Sequence, residues 1–166
     1  MLAAAVSAHP DDPLAGLAVD EQPERPAPEG WTTVSVHAAT LNHHELFSLR
    51  GVGLPAERLP MILGCDAAGV AEDGRDVIVH AAIGDPAVSG GDETLNPRRT
   101  PFSELHPGTL AERVAAPTQN LVPKSASLTW DEFRAADGRL VAEMKTIVIV
   151  TARMPTAPDA DDAAKP

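Results

Sequence analysis

The sequence has little of several residue types, and each shortage excludes a class of protein. A single cysteine, Cys65, in 166 residues excludes an internal disulfide and any metal site built from cysteines alone. Tyrosine is absent and aromatic residues make up 3% of the chain, which removes tyrosine as a catalytic acid. No apolar run is long enough to cross a bilayer, and the opening stretch MLAAAVSAHPDDP lacks the basic flank of a signal peptide. We therefore expect a cytoplasmic protein with no membrane partner.

Basic residues are also scarce. Lys and Arg number 13 against 24 Asp and Glu, giving a net charge of −11 and a pI near 4.8. Nucleic acids and anionic membranes would repel such a chain, so we expect neither as a partner. A chain of 166 residues that is 43% hydrophobic is long enough for one core of ordinary size and short for two.

Phosphate-binding motifs are the last notable absence. No G-x-G-x-x-G follows a predicted strand, and no G-x-x-x-x-G-K-S/T occurs anywhere in the chain. The short stretches GCDAAG and SGGDE do not have the spacing that a phosphate-binding loop needs. We expect no nucleotide cofactor.

What the sequence does contain is mostly β pattern. Residues 32–40 alternate, placing Val34 and Val36 on one face and Ser35 and His37 on the other. Asp73-Gly74 separates two apolar runs and predicts a hairpin. Further predicted strands lie in residues 2–8, 110–117 and 145–151. Such strands, spaced by Gly and Pro turns, indicate a barrel or sandwich of mainly β class.

Two short helices are predicted from their caps. Asn42 caps the first, which runs through residues 43–50 and ends at Gly51. Thr129 caps the second, with Glu132 at the position that a capping box requires, and this helix carries Phe133 and ends at Gly138. The long segment from Gly84 to Gly108 is predicted to cover a cleft as a lid or to lie disordered. Residues 152–166 lack apolar periodicity and are predicted to be a disordered tail.

Four segments together resemble one family. Residues 34–51 (VSVHAATLNHHELFSLRG), 60–80 (PMILGCDAAGVAEDGRDVIVH) and 108–132 (GTLAERVAAPTQNLVPKSASLTWDE) are similar, in order and spacing, to medium-chain alcohol dehydrogenases and quinone reductases. The segment 133–151 is similar to the extreme carboxyl end of that family. The resemblance implies a GroES-like, partly open β-barrel.

The same resemblance implies that a domain is missing. Residues 1–132 correspond to the family's amino-terminal part and residues 133–151 to its carboxyl-terminal part, so together they form one GroES-like domain, 1–151. The dinucleotide-binding domain, about 100–150 residues long, would fall between Trp130 and Phe133. Without it, no site for a nicotinamide cofactor is visible, and hydride transfer loses the group that performs it.

The resemblance also implies which metal positions are lost. Zinc-dependent members take a catalytic ion from a Cys, a His and a further Cys. Here the first position holds Asn42, the second holds Cys65, and the third falls in the missing domain. The family's four-cysteine structural lobe is absent as well. We therefore expect no zinc.

Candidate site residues are carried over by position. Asn42, His44 and Phe47 correspond to positions that face the substrate, and His43 to one that contacts the cofactor phosphate. Cys65, His80 and Trp130 complete the predicted substrate-binding set, and the predicted catalytic residues are His44, Asn42 and His43. His44 is the preferred acid or base, because histidine transfers protons near neutral pH and neighbouring helical residues point about 100° apart.

Purely structural roles remain open for the same residues. Asn42 is a good helix cap, and His43 and His44 suit a solvated first turn. Cys65 has the properties of a small buried apolar residue, and His80 simply ends a strand. Glu45 is expected to support the helix through its dipole.

The favoured function is a cofactor-independent, non-redox enzyme that keeps the substrate cleft. A cyclase or isomerase acting on a conjugated carbonyl or polyketide-type intermediate in natural-product biosynthesis fits this description. The alternatives are a non-catalytic binding or scaffold protein, an inactive remnant, and half of an NADPH-dependent oxidoreductase. A homodimer is expected as well, because losing a domain uncovers the face that packed against it.

The first prediction concerns nucleotides. Because the fingerprint and the doubly wound unit are absent, calorimetric titration of the purified protein with NADPH or NADH should give no heat of binding. Micromolar binding of either nucleotide would overturn both this expectation and the cofactor-independent function.

Overall fold

Antiparallel strands are the commonest regular elements in the part of the chain that the structure describes. The computed structural model describes residues 1–130, 132–134 and 140–143. The strands in these residues are β1 (Leu2–Val6), β2 (Leu17–Glu21), β3 (Trp31–Ala39), β4 (Met61–Ile62), β5 (Ala67–Ala71), β6 (Asp76–Val79), β7 (Ala82–Ile83), β8 (Thr100–Pro101), β9 (Arg113–Pro117), β10 (Leu121–Pro123), β11 (Glu132–Arg134) and β12 (Leu140–Glu143).

Helices are few in the same residues. The α-helix is α1 (His43–Leu49). Short 3-10 turns occupy Pro13–Gly16, Ala56–Arg58, Glu93–Leu95 and Thr118–Asn120. None of the helices that the structure describes is long and apolar enough to cross a bilayer.

The principal sheet has five antiparallel strands in the order β10-β6-β5-β3-β9. Strand β3, which pairs with β5 on one side and β9 on the other, buries Val34 completely and leaves Ser35 and His37 exposed, which confirms the predicted alternation. A register shift after Val36 bends the strand, and Ala38 and Ala39 both turn inward beyond it. The sheet curls into a half-barrel, as the predicted GroES-like class requires.

The predicted hairpin joins β5 and β6. Gly74 has φ +83°, and its N–H donates to the carbonyl of Ala71 over 2.8 Å. The guanidinium Nε of Arg75 lies 2.7 Å from the Asp73 carboxylate and closes the turn from outside. The Asp-Gly signal is confirmed.

A second sheet of three strands, β2-β1-β4, packs beside the first. Strand β2 has no counterpart among the predicted strands. It pairs with β1 along its full length, yet its last residues, Asp20 and Glu21, are exposed and acidic. An edge strand with a solvent-exposed, charged end shows no clear alternation of apolar and polar residues. For this reason β2 was not predicted from the sequence.

The segment from Gly84 to Gly108 is ordered, and its last part reaches the interior. Strands β7 and β8 pair across it. Phe102 and Ser103 are both fully buried. The ring of Phe102 belongs to the core formed under the principal sheet, and this contact holds the neighbouring loop residues against the barrel.

The predicted helix from Thr129 to Gly138 is wrong. Strand β11 occupies residues 132–134 and pairs antiparallel with β12. The sequence between these strands contains Asp137-Gly138, a dipeptide that favours tight hairpin connections. Two paired strands form backbone hydrogen bonds with each other, whereas a short isolated helix is only marginally stable. The capping pattern at Thr129 therefore does not produce a helix. The predicted strand 145–151 and the predicted tail 152–166 lie outside the described residues.

Candidate functional site

Helix α1 begins and ends where its caps predict. Asn42 is the N-cap residue, and its backbone N–H donates to the Glu45 carboxylate, one half of a capping box. At the other end Gly51 adopts φ +77°, and its N–H donates to the Ser48 carbonyl. The cap pulls the Glu45 side chain back toward the start of the helix.

The side chain of Asn42 ties this helix to the turn before β5. Its Nδ2 donates to Asp66 Oδ2 over 2.6 Å and to Thr40 Oγ1 over 3.3 Å. Thr40 Oγ1 donates to the same Asp66 oxygen over 3.0 Å. Asp66 is thus a structural acceptor that fixes the start of α1 beside Cys65.

A glycine allows the chain to bring Cys65 to this place. Gly64 has φ +101°, and a Cβ there would lie 2.6 Å from Thr109 Oγ1 and 2.7 Å from the Leu110 nitrogen. Only glycine permits this close crossing of two backbones. A backbone hydrogen bond stabilises the crossing: the Leu110 N–H donates to the Leu63 carbonyl over 2.8 Å.

His44 lies where these elements meet. Its Nε2 is 3.2 Å from Glu104 Oε1. Its Nδ1 is 3.3 Å from the Cys65 sulfur, 3.4 Å from Ser103 Oγ and 3.5 Å from Ser48 Oγ. We name this set the His44 cluster; its members are His44, Glu45, Ser48, Cys65, Ser103 and Glu104. The ring is mostly covered, with 24% of the side chain exposed.

The contact with Glu104 places a proton on Nε2 of His44. A carboxylate only accepts, so the Nε2–H donates to Glu104. On the other side of the ring, Nδ1 faces the Cys65 sulfur and the hydroxyls of Ser48 and Ser103. The histidine is oriented by a carboxylate on one side and keeps its basic nitrogen on the other.

The loop presents Glu104 in a fixed position. Thr100 Oγ1 donates to Glu104 Oε2 over 3.1 Å, and Arg58 donates to the Glu104 carbonyl over 3.4 Å. Ser103 has φ +63°, the only positive value at a non-glycine residue in the described part of the chain. This uncommon conformation is held by the Ser103 N–H, which donates to the His106 carbonyl over 2.8 Å.

Cys65 is a thiol and not a thiolate at neutral pH. Burial, followed by the charge of the Glu45 carboxylate, raises the pKa of Cys65 from 9.0 to about 12. Its sulfur also lies 3.5 Å from the Phe102 carbonyl, to which it donates. An unactivated, buried thiol has little value as a nucleophile, and the structural role left open for Cys65 is favoured.

Three members of the cluster have the donor atoms of a metal site. His44, Glu45 and Cys65 each offer one ligand atom, and these atoms all lie within 4.8 Å of one another. The expectation of no zinc rested on the ligand positions of the zinc-dependent relatives, which hold Asn42 and Cys65 here and fall in the missing domain at the third, and on the absent four-cysteine lobe. It missed the two residues that follow His43 on the helix.

The remaining predicted site residues lie elsewhere. His43 and Phe47 are exposed on α1. His80 directly follows β6, with its Nδ1 3.3 Å from Glu93 Oε1. Trp130 stacks on His37, with ring centroids 4.8 Å apart and the ammonium of Lys124 4.5 Å from its centroid. Substrate contacts of Phe47, His80 and Trp130 stay predictions.

Sequence reasoning missed Glu104, Ser103 and Ser48. Glu104 and Ser103 stand about 60 positions from His44, inside the segment predicted as a lid, and no local pattern links them to it. The useful signal was the length of that loop, because long loops in compact domains are often functional.

The structure has an open cleft of about 510 Å³. Its walls include Trp31, Leu59, His106 and Arg113. None of the predicted catalytic or substrate-binding residues lines it. The cleft adjoins the His44 cluster through Arg58, which lines it and donates to the Glu104 carbonyl.

Comparison with known proteins agrees with this fold. Residues 28–126 match the family model described as "Alcohol dehydrogenase GroES-like domain". The crystal structure of an NAD-dependent alcohol dehydrogenase aligns with TM-score 0.70 and 29% identity, over 80% of this chain and 42% of that chain. The quinone oxidoreductase of Thermus thermophilus, solved also with NADPH, aligns with TM-score 0.54 and 28% identity, over 80% and 35%.

A 2-octenoyl-CoA carboxylase reductase from Streptomyces shares the fold, with TM-score 0.68 and 24% identity over 79% of this chain and 40% of that chain. No curated protein matches the chain significantly in sequence. The fold and the matched residues define a GroES-like catalytic-type domain. The chain belongs to the alcohol dehydrogenase GroES-like domain family, and it spans about two fifths of the length of these solved structures.

The described residues do not fit a nicotinamide dinucleotide. Every strand pair among them is antiparallel, and none forms the parallel strand–turn–helix unit that cradles a pyrophosphate.

The raised pKa of Cys65 gives a testable rate. In protein kept metal-free with EDTA at about pH 8, iodoacetamide should alkylate Cys65 on the order of 1,000-fold more slowly than in urea, because the thiolate fraction falls tenfold for each pKa unit. A cysteine-containing peptide in the same buffers controls for solvent effects. Equal rates in the folded and unfolded protein would show that the thiol is neither buried nor suppressed.

Proposed function

We propose that the protein is a non-redox enzyme that works without a nicotinamide cofactor and moves a proton on a conjugated carbonyl substrate. A cyclase or isomerase in natural-product biosynthesis, acting on polyketide-type intermediates, is the reaction class we favour. The observation that carries this proposal is His44, which is partly exposed and held by the Glu104 carboxylate at Nε2, so that Nδ1 keeps its basic lone pair.

The chemistry follows from the tautomer. Nδ1 of His44 removes a proton from the carbon next to the carbonyl, and the resulting imidazolium is stabilised by the carboxylate 3.2 Å from Nε2. The same nitrogen returns the proton at a different carbon, so the double bond moves and no electrons enter or leave. Glu104 acts as the orienting and charge-stabilising group, comparable to the carboxylate in a Ser-His-Asp arrangement.

The neighbourhood suits an apolar, flat substrate. Leu41, Leu46 and Phe47 are each about half exposed around the start of α1. Single exposed apolar residues are ordinary, but three beside a proton-transferring histidine offer a surface for a conjugated system. The quinone oxidoreductase relative, which acts on a conjugated dicarbonyl by its name, supports the substrate class. Asn42 contributes by fixing the helix.

One alternative retains support. The solved relatives include an NAD-dependent alcohol dehydrogenase, and the present chain covers 42% of it. In this alternative the protein is half of an NADPH-dependent oxidoreductase and is completed by another chain. The 42% coverage is consistent with it. We also propose residues 1–151 as one domain followed by a disordered tail, testable by limited proteolysis that should remove only the tail.

The proton-transfer proposal is tested with a small isomerisation. Cyclohex-3-en-1-one converts to its conjugated isomer when a proton moves, and the product absorbs in the ultraviolet. In EDTA-treated protein, His44→Gln should lower kcat by about 100-fold or more, since general base catalysis typically contributes 10²–10⁴. The matched control is Arg50→Gln, at an exposed position that ends the same helix, which should stay within about threefold. A wild type no faster than buffer, or an unaffected His44→Gln, would exclude the proposal.

We further propose a homodimer through the outer face of the principal sheet. Ile78 and Val122 are directly opposed across β6 and β10 and both exposed, and Trp130 lies on His37 of the same sheet. Solvent-exposed apolar side chains on one face of a sheet favour association of two copies of the protein.

Light scattering at roughly tens of micromolar should give twice the monomer mass. Trp130→Asp should halve it while leaving the β circular dichroism spectrum intact, because Trp130 is outside the buried core. Val88→Asp, in the exposed loop, is the control and should keep the dimer. A monomer mass for the wild type refutes the dimer.

A further inference from the structure

The carboxylate of Glu45 is buried without a full set of partners. Only 5% of its side chain is exposed. Oε2 accepts the Asn42 N–H, whereas Oε1 accepts no hydrogen bond. Burying a carboxylate oxygen without a hydrogen-bond donor costs free energy. One explanation for such an atom in a native structure is a bound ion.

The unpartnered oxygen points into the His44 cluster. Oε1 lies 3.9 Å from His44 Nδ1, and that nitrogen lies 3.3 Å from the Cys65 sulfur. In a tetrahedral site with bonds of about 2.0–2.3 Å, ligand atoms stand roughly 3.3–3.8 Å apart. The two separations from His44 Nδ1, 3.3 and 3.9 Å, are close to this spacing, and all three atoms lie within 4.8 Å of one another.

The surrounding contacts are those of a metal-bound histidine. A ligating His nearly always donates its second ring N–H to a carboxylate or carbonyl, which fixes the ring and its tautomer. His44 Nε2 has that partner in Glu104, and Thr100 in turn donates to Glu104. The arrangement leaves Nδ1 as the free donor atom on the side of Glu45 and Cys65.

We propose that His44 Nδ1, Glu45 Oε1 and Cys65 Sγ form a three-ligand site for Zn²⁺. Mixed nitrogen, oxygen and sulfur donors favour zinc over Mg²⁺ or Ca²⁺, which take oxygen ligands. Three protein ligands leave a fourth position open. On binding, the thiol of Cys65 gives its proton to the buffer and a Zn–S bond forms, with no change of oxidation state. Of the ligand positions implied by the zinc-dependent relatives, only that of Cys65 is used.

This inference rests on the geometry of the cluster and not on the proposed proton transfer. The two do interact at one atom, because an ion on Nδ1 takes the lone pair that would accept a proton. Zinc should therefore inhibit the isomerisation described above, and EDTA should restore it.

Cobalt(II) provides the direct test, since it occupies zinc sites and reports its ligands by absorption. Metal-free full-length protein, kept reduced with a phosphine, is titrated with CoCl₂. We expect one equivalent to bind per chain, with a thiolate-to-cobalt charge-transfer band and intense visible bands of tetrahedral Co²⁺, all removed by Zn²⁺. Absence of these bands at saturating cobalt overturns the proposal.

Variants assign the ligands. Cys65→Ser should abolish the charge-transfer band, and Glu45→Gln, which keeps an oxygen for the helix cap, should weaken binding at least tenfold. Glu104→Gln leaves all three ligands and should weaken binding about 10–100-fold, as second-sphere changes do. Glu57→Gln, at an exposed position, is the matched control and should bind normally.

Circular dichroism of each variant separates lost ligands from lost fold. Unchanged cobalt spectra in Glu45→Gln and His44→Gln would place the ion elsewhere and refute the assignment. Cobalt bands without isomerase activity would support the metal site and reject the proposed function. Isomerase activity without cobalt bands would do the reverse.

Discussion

The crossing of two backbone segments at Gly64 is the constraint on which the site depends. Because no Cβ intervenes, Thr109 and Leu110 approach the chain closely enough to hydrogen-bond Leu63 and Gly64. That contact sets the direction in which Cys65 leaves the crossing, and the next residue, Asp66, binds the side chain at the start of α1. A larger residue at position 64 would separate the strands and carry Cys65 away from His44, with no contact at the histidine itself being altered.

Local signals made much of the fold predictable. The alternation in β3, the Asp73-Gly74 turn and the caps of α1 each act over a few residues, so the sequence displays them without knowledge of the rest. The same locality explains the failure at Thr129. A capping pattern was present there, but the same stretch also carries Asp137-Gly138, and residues 132–134 pair with residues 140–143 as strands.

The candidate site was predictable only in part, because its members come from three separate places in the chain. His44 was identified through the resemblance, and the role of Asn42 as a cap through its residue type. Glu104 contacts His44 although 60 residues separate them in the sequence. The direction of the Glu45 oxygens depends on how the helix cap turns the Glu45 side chain. Neither contact can be predicted from the spacing of residues in the sequence. A histidine with a carboxylate on one nitrogen and soft or acidic donors near the other also serves two chemistries, and only measurement of proton transfer and metal affinity separates their contributions.

The residue that sets the tautomer of His44 lies in the long loop between β7 and β9, and not on the sheet. Loops tolerate insertion and substitution because few core contacts depend on their length, and lengthening one costs little entropy. Evolution could therefore exchange Glu104 for a neutral or basic residue, or withdraw it, while the barrel and the helix stayed as they are. Related chains with the same scaffold would then differ in the basicity and ligand preference of one histidine, and a family could diversify its chemistry by rewriting a surface segment alone.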